Sequence, residues 1–241
     1  MESDEYNKEA DWRCHTVVRV AATTTVPGLG TLPAGAVGKA VGIVDYQSGR
    51  IAFSVPSATS LFLNLSHRYY DDARKIAQSF SVGPTLQTLD DDISFAYFER
   101  IMASVVFAYT ALESFANEEI PDEFNHPVEK HKCTEIYGKT QIERFLSLGV
   151  KLGDILPVVF DLPSPKGTKT WENYVALESL RHSIIHMKKA DREHVGYSSQ
   201  SVWRALIAEP VPYSVATAKA MIDYFYDSRG PKPHWYENFP F

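Results

Sequence analysis

Between Asp90 and Pro121 the side chains Phe95, Phe98, Met102, Val105, Tyr109, Leu112 and Ala116 recur three and four residues apart. That spacing sustains one apolar stripe through about six turns of α-helix. A stripe of this length has to be covered from end to end, so the segment commits the chain to a packed core around one long helix. Asp90, Asp91 and Asp92 offer an N-cap and negative charge where the helix dipole is positive, and Pro121 helps to stop the helix. With 44% hydrophobic and 12% aromatic residues among 241, the chain has material to cover it.

The helical period recurs elsewhere. Tyr69, Ala73, Ile76 and Phe80 predict a helix over roughly 66–80. The capping-box sequence Thr140-Gln141-Ile142-Glu143 predicts one ending near Gly149. Two more are expected from about Trp171 to Lys189 and from about Ser214 to Ser228, with Asn125–Pro127 and Leu162–Thr170 as loops. Before residue 66 the pattern differs. His15–Thr25, Ala36–Tyr46 and Ile51–Val55 are rich in Val, Ile and Thr, and Gln47-Ser48-Gly49 reads as a hairpin turn. The expected fold is therefore mainly α. Residues 1–14 form a flexible acidic arm, residues 15–65 a small β-rich module, and residues 66–241 a helical bundle on which the aromatic C-terminal tail docks. The stretch Leu32-Pro33-Ala34-Gly35-Ala36-Val37-Gly38 is faintly similar to the opening of small SH3-like barrels.

Several function classes lose support. The chain has no GxxxxGK[ST] phosphate loop, no dinucleotide glycine pattern and no GxSxG nucleophile elbow. Cys14 and Cys133 lack CxxC spacing, which argues against a thiolate zinc site or a disulfide framework and fits a reducing, cytoplasmic setting. The acidic, polar N-terminus reads against a secretory signal, and no apolar run approaches the length of a bilayer span, so no membrane partner is expected. The formal net charge of −6 excludes a global grip on a phosphate backbone; contact with nucleic acid has to be local.

The predicted helix 171–189 carries the most information. Leu177, Leu180, Ile184 and Met187 fall on one narrow face, which packs inward. The opposite arc, about 140° wide, holds Glu178, Arg181, His182 and His186, with Tyr174 and Ile185 inside it. A solvated face usually carries Lys and Glu; a guanidinium, two imidazoles and a carboxylate beside apolar groups suit a contact or a site. Glu178-x3-His182-x3-His186 is also feasible as part of a metal site, but no further ligand cluster declares itself and no metal or other cofactor is expected.

Arg181-His182-Ser183-Ile184-Ile185-His186 resembles the Arg-x4-6-His motif of HEPN domains. On the earlier long helix, Glu113-Ser114-Phe115-Ala116-Asn117 looks like the Glu-x3-Asn segment of many members. The resemblance spans roughly residues 66–228 and implies a HEPN-like helical bundle. It further implies a metal-independent endoribonuclease, often a toxin or phage-defence effector, whose composite cleft forms across a homodimer. RNA is then the substrate, and an antitoxin or other regulator is a further partner. By the same resemblance His186 is the acid or base, Arg181 the phosphate stabiliser, His182 an auxiliary donor, and Glu113 and Asn117 orient the pair. Lys188 and Lys189 open a small basic cluster that can touch phosphate, although cations at a helix end also favour its dipole. The alternative from another class is a non-catalytic HEPN-like dimerisation or binding module for a protein or nucleotide.

Overall fold

The structure is a computed structural model and describes residues 10–26, 30–80, 83, 87–131, 133–189, 191, 201–207, 211–227 and 232–240. The fold is mainly α with a small strand-containing N-terminal module. The chain divides into two compact units: Met1–Leu61 with Gly230–Phe241, and Phe62–Arg229.

In the first unit, β1 (Val17–Arg19) pairs antiparallel with β4 (Val37–Lys39), and β2 (Thr24–Val26) with β3 (Gly30–Leu32). β5 (Val41–Tyr46) and β6 (Gly49–Ser54) form the expected hairpin, with Tyr46 opposite Gly49 and Gln47 at a φ of 53° in the two-residue turn. All ladders among the described residues are two-stranded. The expected acidic arm lies mostly outside the described residues. Its last part is anchored: Asp11 pairs with Arg13, Cys14 is buried and bridges to Pro56. The C-terminal helix α9 (His234–Glu237) buries Trp235, and Phe239 packs edge-on against Trp12 at 5.5 Å. The tail therefore belongs with the N-terminal unit, a correction to the expectation that it docks on the bundle.

α1 (Ala58–Ala77) starts well before residue 66, because Ser57 accepts the N–H of Ser60 and caps it. Its first residues, Ala58-Thr59-Ser60, are small and carry no apolar period. α2 (Asp91–Glu119) begins as expected on Asp90, whose carboxylate accepts the N–H of Asp92, and ends with Ile120 before Pro121. Its buried residues are Tyr97, Ile101, Ser104, Val105, Ala108, Ala111, Leu112, Phe115 and Ala116, while Phe95 is 61% exposed. The covered face is thus wider than the predicted stripe and rotated from it. α2 is also, by length and composition alone, long and apolar enough to cross a bilayer, which corrects the expectation that no run approaches that length. Here it is the central helix of the second unit, packed against α6 (Lys169–Ile185) and α8 (Ser214–Tyr226).

Asn125–Pro127 is strand rather than loop: β7 (Asn125–Glu129) pairs with β8 (Thr134–Gly138). α3 (Lys139–Phe145) is capped two residues earlier than predicted, with Gln141 accepting the N–H of Gly138 at 3.1 Å, and it ends before Gly149. Ser147 then starts a further helical run that the sequence reading missed: α4 (Leu148–Val150), a π-helical turn Lys151–Ile155 and α5 (Leu156–Phe160). α6 is capped by Thr168 and ends at Ile185, short of the predicted Lys189; α7 (Val202–Leu206) follows.

Candidate functional site

The residues singled out in the sequence gather where α6 crosses α2. α6 buries Tyr174, Leu177 and Ile184, so its inward stripe includes a tyrosine assigned to the outward arc. Leu180 and Met187 are only half-buried. Glu178, four residues after Tyr174, sits at the margin of this stripe and reaches inward. One of its oxygens, Oε1, accepts the hydroxyl of Tyr174 at 2.7 Å and that of Tyr109 on α2 at 3.3 Å. The Arg181 guanidinium stands over the Tyr109 ring, 5.1 Å from its centroid, a distance for cation–π attraction.

Burial, followed by the negative charges of Glu178 and Glu113, pushes the Tyr109 phenol up to about 12, with Arg181 opposing. Burial and the hydrogen bond to Glu178 raise Tyr174 as well. Both phenols therefore stay protonated and donating through the neutral range.

Farther along α2, Asn117 has a partner that the sequence reading missed. Lys151, fully buried in the π-helical turn, donates from Nζ to Asn117 Oδ1 at 2.8 Å and to the Glu143 carbonyl at 3.0 Å. Burial lowers its pKa, and Glu113 and Glu143 oppose the shift. Glu113 is exposed and acts electrostatically on both Lys151 and Tyr109. Glu113 and Asn117 thus line a seam with Tyr109, Glu178 and Lys151, but Asn117 holds Lys151.

The two histidines lie at the open end. His182 and His186 are exposed, with ring centroids 4.6 Å apart, and His186 is the C-cap of α6, its N–H on the His182 carbonyl. Two grooves meet there. One, of about 370 Å³, is lined by Tyr109, Val175, Glu178, Ser179, Arg181 and His182. The other, of about 580 Å³, takes in His182, His186, Lys188, Asp191 and Ser201. Arg181 opens on the first and His186 on the second; His182 and Ser179 belong to both. Side chains five apart on a helix diverge by about 140°, which explains the division. Asp191 closes the second groove, accepting the N–H groups of Lys188 and Val202, which hold its pKa low. Lys188 and Lys189 are exposed beyond the end of α6; the other members of the basic cluster they open, Arg192 and His194, lie outside the described residues.

Among the described residues no group of three or more His, Cys, Asp or Glu side chains is placed to hold a metal ion. Glu178, the carboxylate of the helical Glu-x3-His-x3-His series, is turned to the tyrosines. The signal for the missed partners was present in part. Tyr174 and Glu178 have the spacing of a helical pair, and Lys151 is a charge within the apolar run Leu148–Leu156.

Compared with family models, with curated proteins and with solved structures, the chain matches none.

Proposed function

We propose that the chain is a metal-independent endoribonuclease of the HEPN type, of the kind that serve as toxins or phage-defence effectors. The observation that supports this reading is the arrangement on α6. A guanidinium with a fixed aromatic platform opens on one groove, two exposed imidazoles open on the next, and lysines lie just beyond. A neutral imidazole suits proton transfer near neutral pH, and a permanently charged, forked guanidinium suits the developing charge of a phosphorane.

In the proposed reaction His186 takes the proton of a ribose 2′-OH, and the 2′-oxygen attacks the adjoining phosphorus. The bond to the 5′-oxygen breaks, and that oxygen leaves with a proton from a second imidazole. The products carry a 2′,3′-cyclic phosphate and a 5′-hydroxyl. Arg181 stabilises the phosphorane, His182 is the auxiliary donor, and Lys188 and Lys189 touch flanking phosphates. Because Arg181 and His186 of one chain open on separate grooves, the site is completed by a second copy across a two-fold axis. The net charge of −6 requires the contact with RNA to be local, and this strip is where we place it.

One observation favours a second reading. Val175 and Ile185, on the outer side of the same helix, are 44% and 48% exposed. Apolar groups beside the arginine and histidines also suit a non-catalytic HEPN-like dimerisation or binding module for a protein or nucleotide. The deciding experiment is cleavage of total RNA and a short labelled RNA in EDTA by wild type, Arg181→Ala and His186→Ala, each checked by circular dichroism and sizing. Cleavage by wild type alone, with cyclic-phosphate ends, supports the nuclease. A folded dimeric wild type that cleaves nothing supports the binding module.

A further inference from the structure

A glutamate and an arginine three apart on a helix are neighbours on its surface and ordinarily pair. Glu178 and Arg181 have that spacing but do not pair. Among the described residues no carboxylate lies within salt-bridge distance of the Arg181 guanidinium, and no protein acceptor takes its N–H groups. The reason is visible in the seam. Glu178 Oε1 accepts two phenol hydroxyls, from Tyr174 at 2.7 Å and Tyr109 at 3.3 Å. Tyr174 is fully buried, which fixes the carboxylate on the inner side of α6. Arg181 rests on the face of Tyr109, the same ring whose hydroxyl holds the glutamate. A half-buried guanidinium with its donors unspent lies on a groove of about 370 Å³. A guanidinium in that condition is a receptor for a planar or tetrahedral oxyanion, which it can engage through two parallel N–H groups.

We infer that Tyr109 and Tyr174 are positioning residues that divert Glu178 from Arg181, and so keep the Arg181 guanidinium open as a binding site for a phosphodiester. The inference deepens the proposed site and rests on that reading for the identity of the anion. A phenylalanine at either tyrosine keeps the ring, and at 109 the cation–π platform, but removes one of the two hydroxyls that hold the carboxylate. Freed of both hydroxyls, Glu178 turns to its neighbour at i+3 and neutralises it. The phenols stay protonated well above neutral pH, so the diversion holds throughout the range in which the site would work.

The test is a binding cycle with a fluorescein-labelled 2′-O-methyl RNA oligonucleotide, which cannot be cleaved through its 2′-oxygen, read by fluorescence anisotropy on the full chain. Tyr109→Phe/Tyr174→Phe is expected to weaken binding about tenfold, near the effect of Arg181→Ala, since one charge-assisted contact is lost in each. Adding Glu178→Gln to the double variant restores affinity to near the wild-type level, because a neutral amide cannot pair with the guanidinium. A structural role for the tyrosines predicts no such rescue. Glu178→Gln alone, which leaves the tyrosines in place, binds at least as tightly as wild type. It keeps the test decisive if the double phenylalanine variant folds poorly, because weaker binding by Glu178→Gln overturns the idea. So does wild-type affinity in the double variant, failure of the rescue, or equal binding by wild type and Arg181→Ala. If the cycle behaves as expected while natural RNA is not cleaved, the diversion stands and the nuclease reading falls.

Discussion

The α2–α6 seam and the open end of α6 hold polar groups under opposite conditions. On the inner side the two phenols, the Glu178 carboxylate and Lys151 have protein partners, and Arg181 has a ring beneath it but no acceptor among the described residues. Tyr174 and Tyr109 share one oxygen of Glu178, Arg181 lies on the Tyr109 ring, and farther along α2 Lys151 is held by Asn117 and a carbonyl. On the outer side His182 and His186 are exposed and touch chiefly each other. Tyr174 and Lys151 are fully buried, so they were removed from water on folding and must be satisfied or they destabilise the fold. The outer pair carries no such constraint. Under the nuclease proposal this is a division of labour: Arg181 on its ring sets where the phosphate sits, and the exposed histidines move protons.

The largest effect that would break this division is kinetic. His186→Ala is expected to lower kcat for RNA cleavage by about 10²–10⁴, the usual contribution of a general acid–base, with RNA affinity unchanged. Arg181→Ala should weaken binding as well as slow cleavage. Single-turnover cleavage with titrated binding separates the two. If the histidine variant loses affinity and the arginine variant does not, the assignments are reversed.

A second prediction concerns the fold. Asn117→Leu leaves the Lys151 ammonium buried with the Glu143 carbonyl as its remaining partner, and should destabilise the protein by about 2–3 kcal/mol in urea unfolding. Lys151→Met in that background removes the charge together with its lost partner and should recover most of the loss. His186→Ala should leave the midpoint unmoved. An Asn117 variant of unchanged stability would show that the seam is not what anchors this end of α2.

Much of the architecture could be read in advance, and what could not shares one cause. The long central helix, the β5–β6 turn at Gln47-Ser48 and the cap at Asp90 follow from local pattern and capping chemistry. The start of α1, the π-helical turn and the β7–β8 hairpin depend on tertiary context or short-range bonds that periodicity does not report. The site divides likewise. Arg181, His182 and His186 could be named because they stand on a helix whose outward arc is set by an angle of about 100° per residue. Tyr109 was absorbed into the apolar stripe because its ring belongs to the core and only its hydroxyl to the site. Lys151 depends on a contact across 34 positions of sequence, which no local pattern contains.

The pH dependence of stability sharpens the inner side further. Tyr109 has its folded value pushed to about 12, against an ordinary value of 10.0. A raised acid means that above pH 10 the unfolded chain gives up its proton before the folded one does. The stability contributed is complete below pH 10 and is lost as pH rises toward 12. Allowing for its partial exposure, the loss is about 1 kcal/mol. Tyr109→Phe should flatten the profile between pH 10 and 12 by that amount. A lowered lysine runs the other way: Lys151 costs stability below its depressed value, and the cost fades as pH climbs through it toward 10.5. Lys151→Met should therefore remove a rise below pH 10.5 and leave the fall above it. A Tyr109→Phe profile identical to wild type would mean the phenol is not held by the seam.

The smallest expected effect belongs to the lysines past the end of α6. Lys188 and Lys189 are exposed, so in the proposed complex each meets phosphate as a solvated, flexible ammonium rather than through a shaped contact. Lys188→Ala and Lys189→Ala should each weaken binding about threefold, alike for every RNA sequence, and lower the magnitude of the salt slope of binding by about 1 where the lysine neutralises a phosphate. Arg181→Ala should lower the slope by a similar step and the affinity by more, because a guanidinium held on a ring loses little freedom on binding and spends more of its charge at short range. If either lysine variant costs as much as Arg181→Ala, the platform beneath Arg181 confers no advantage, and the contrast between the ordered and the open side of α6 has no bearing on how the anion is held.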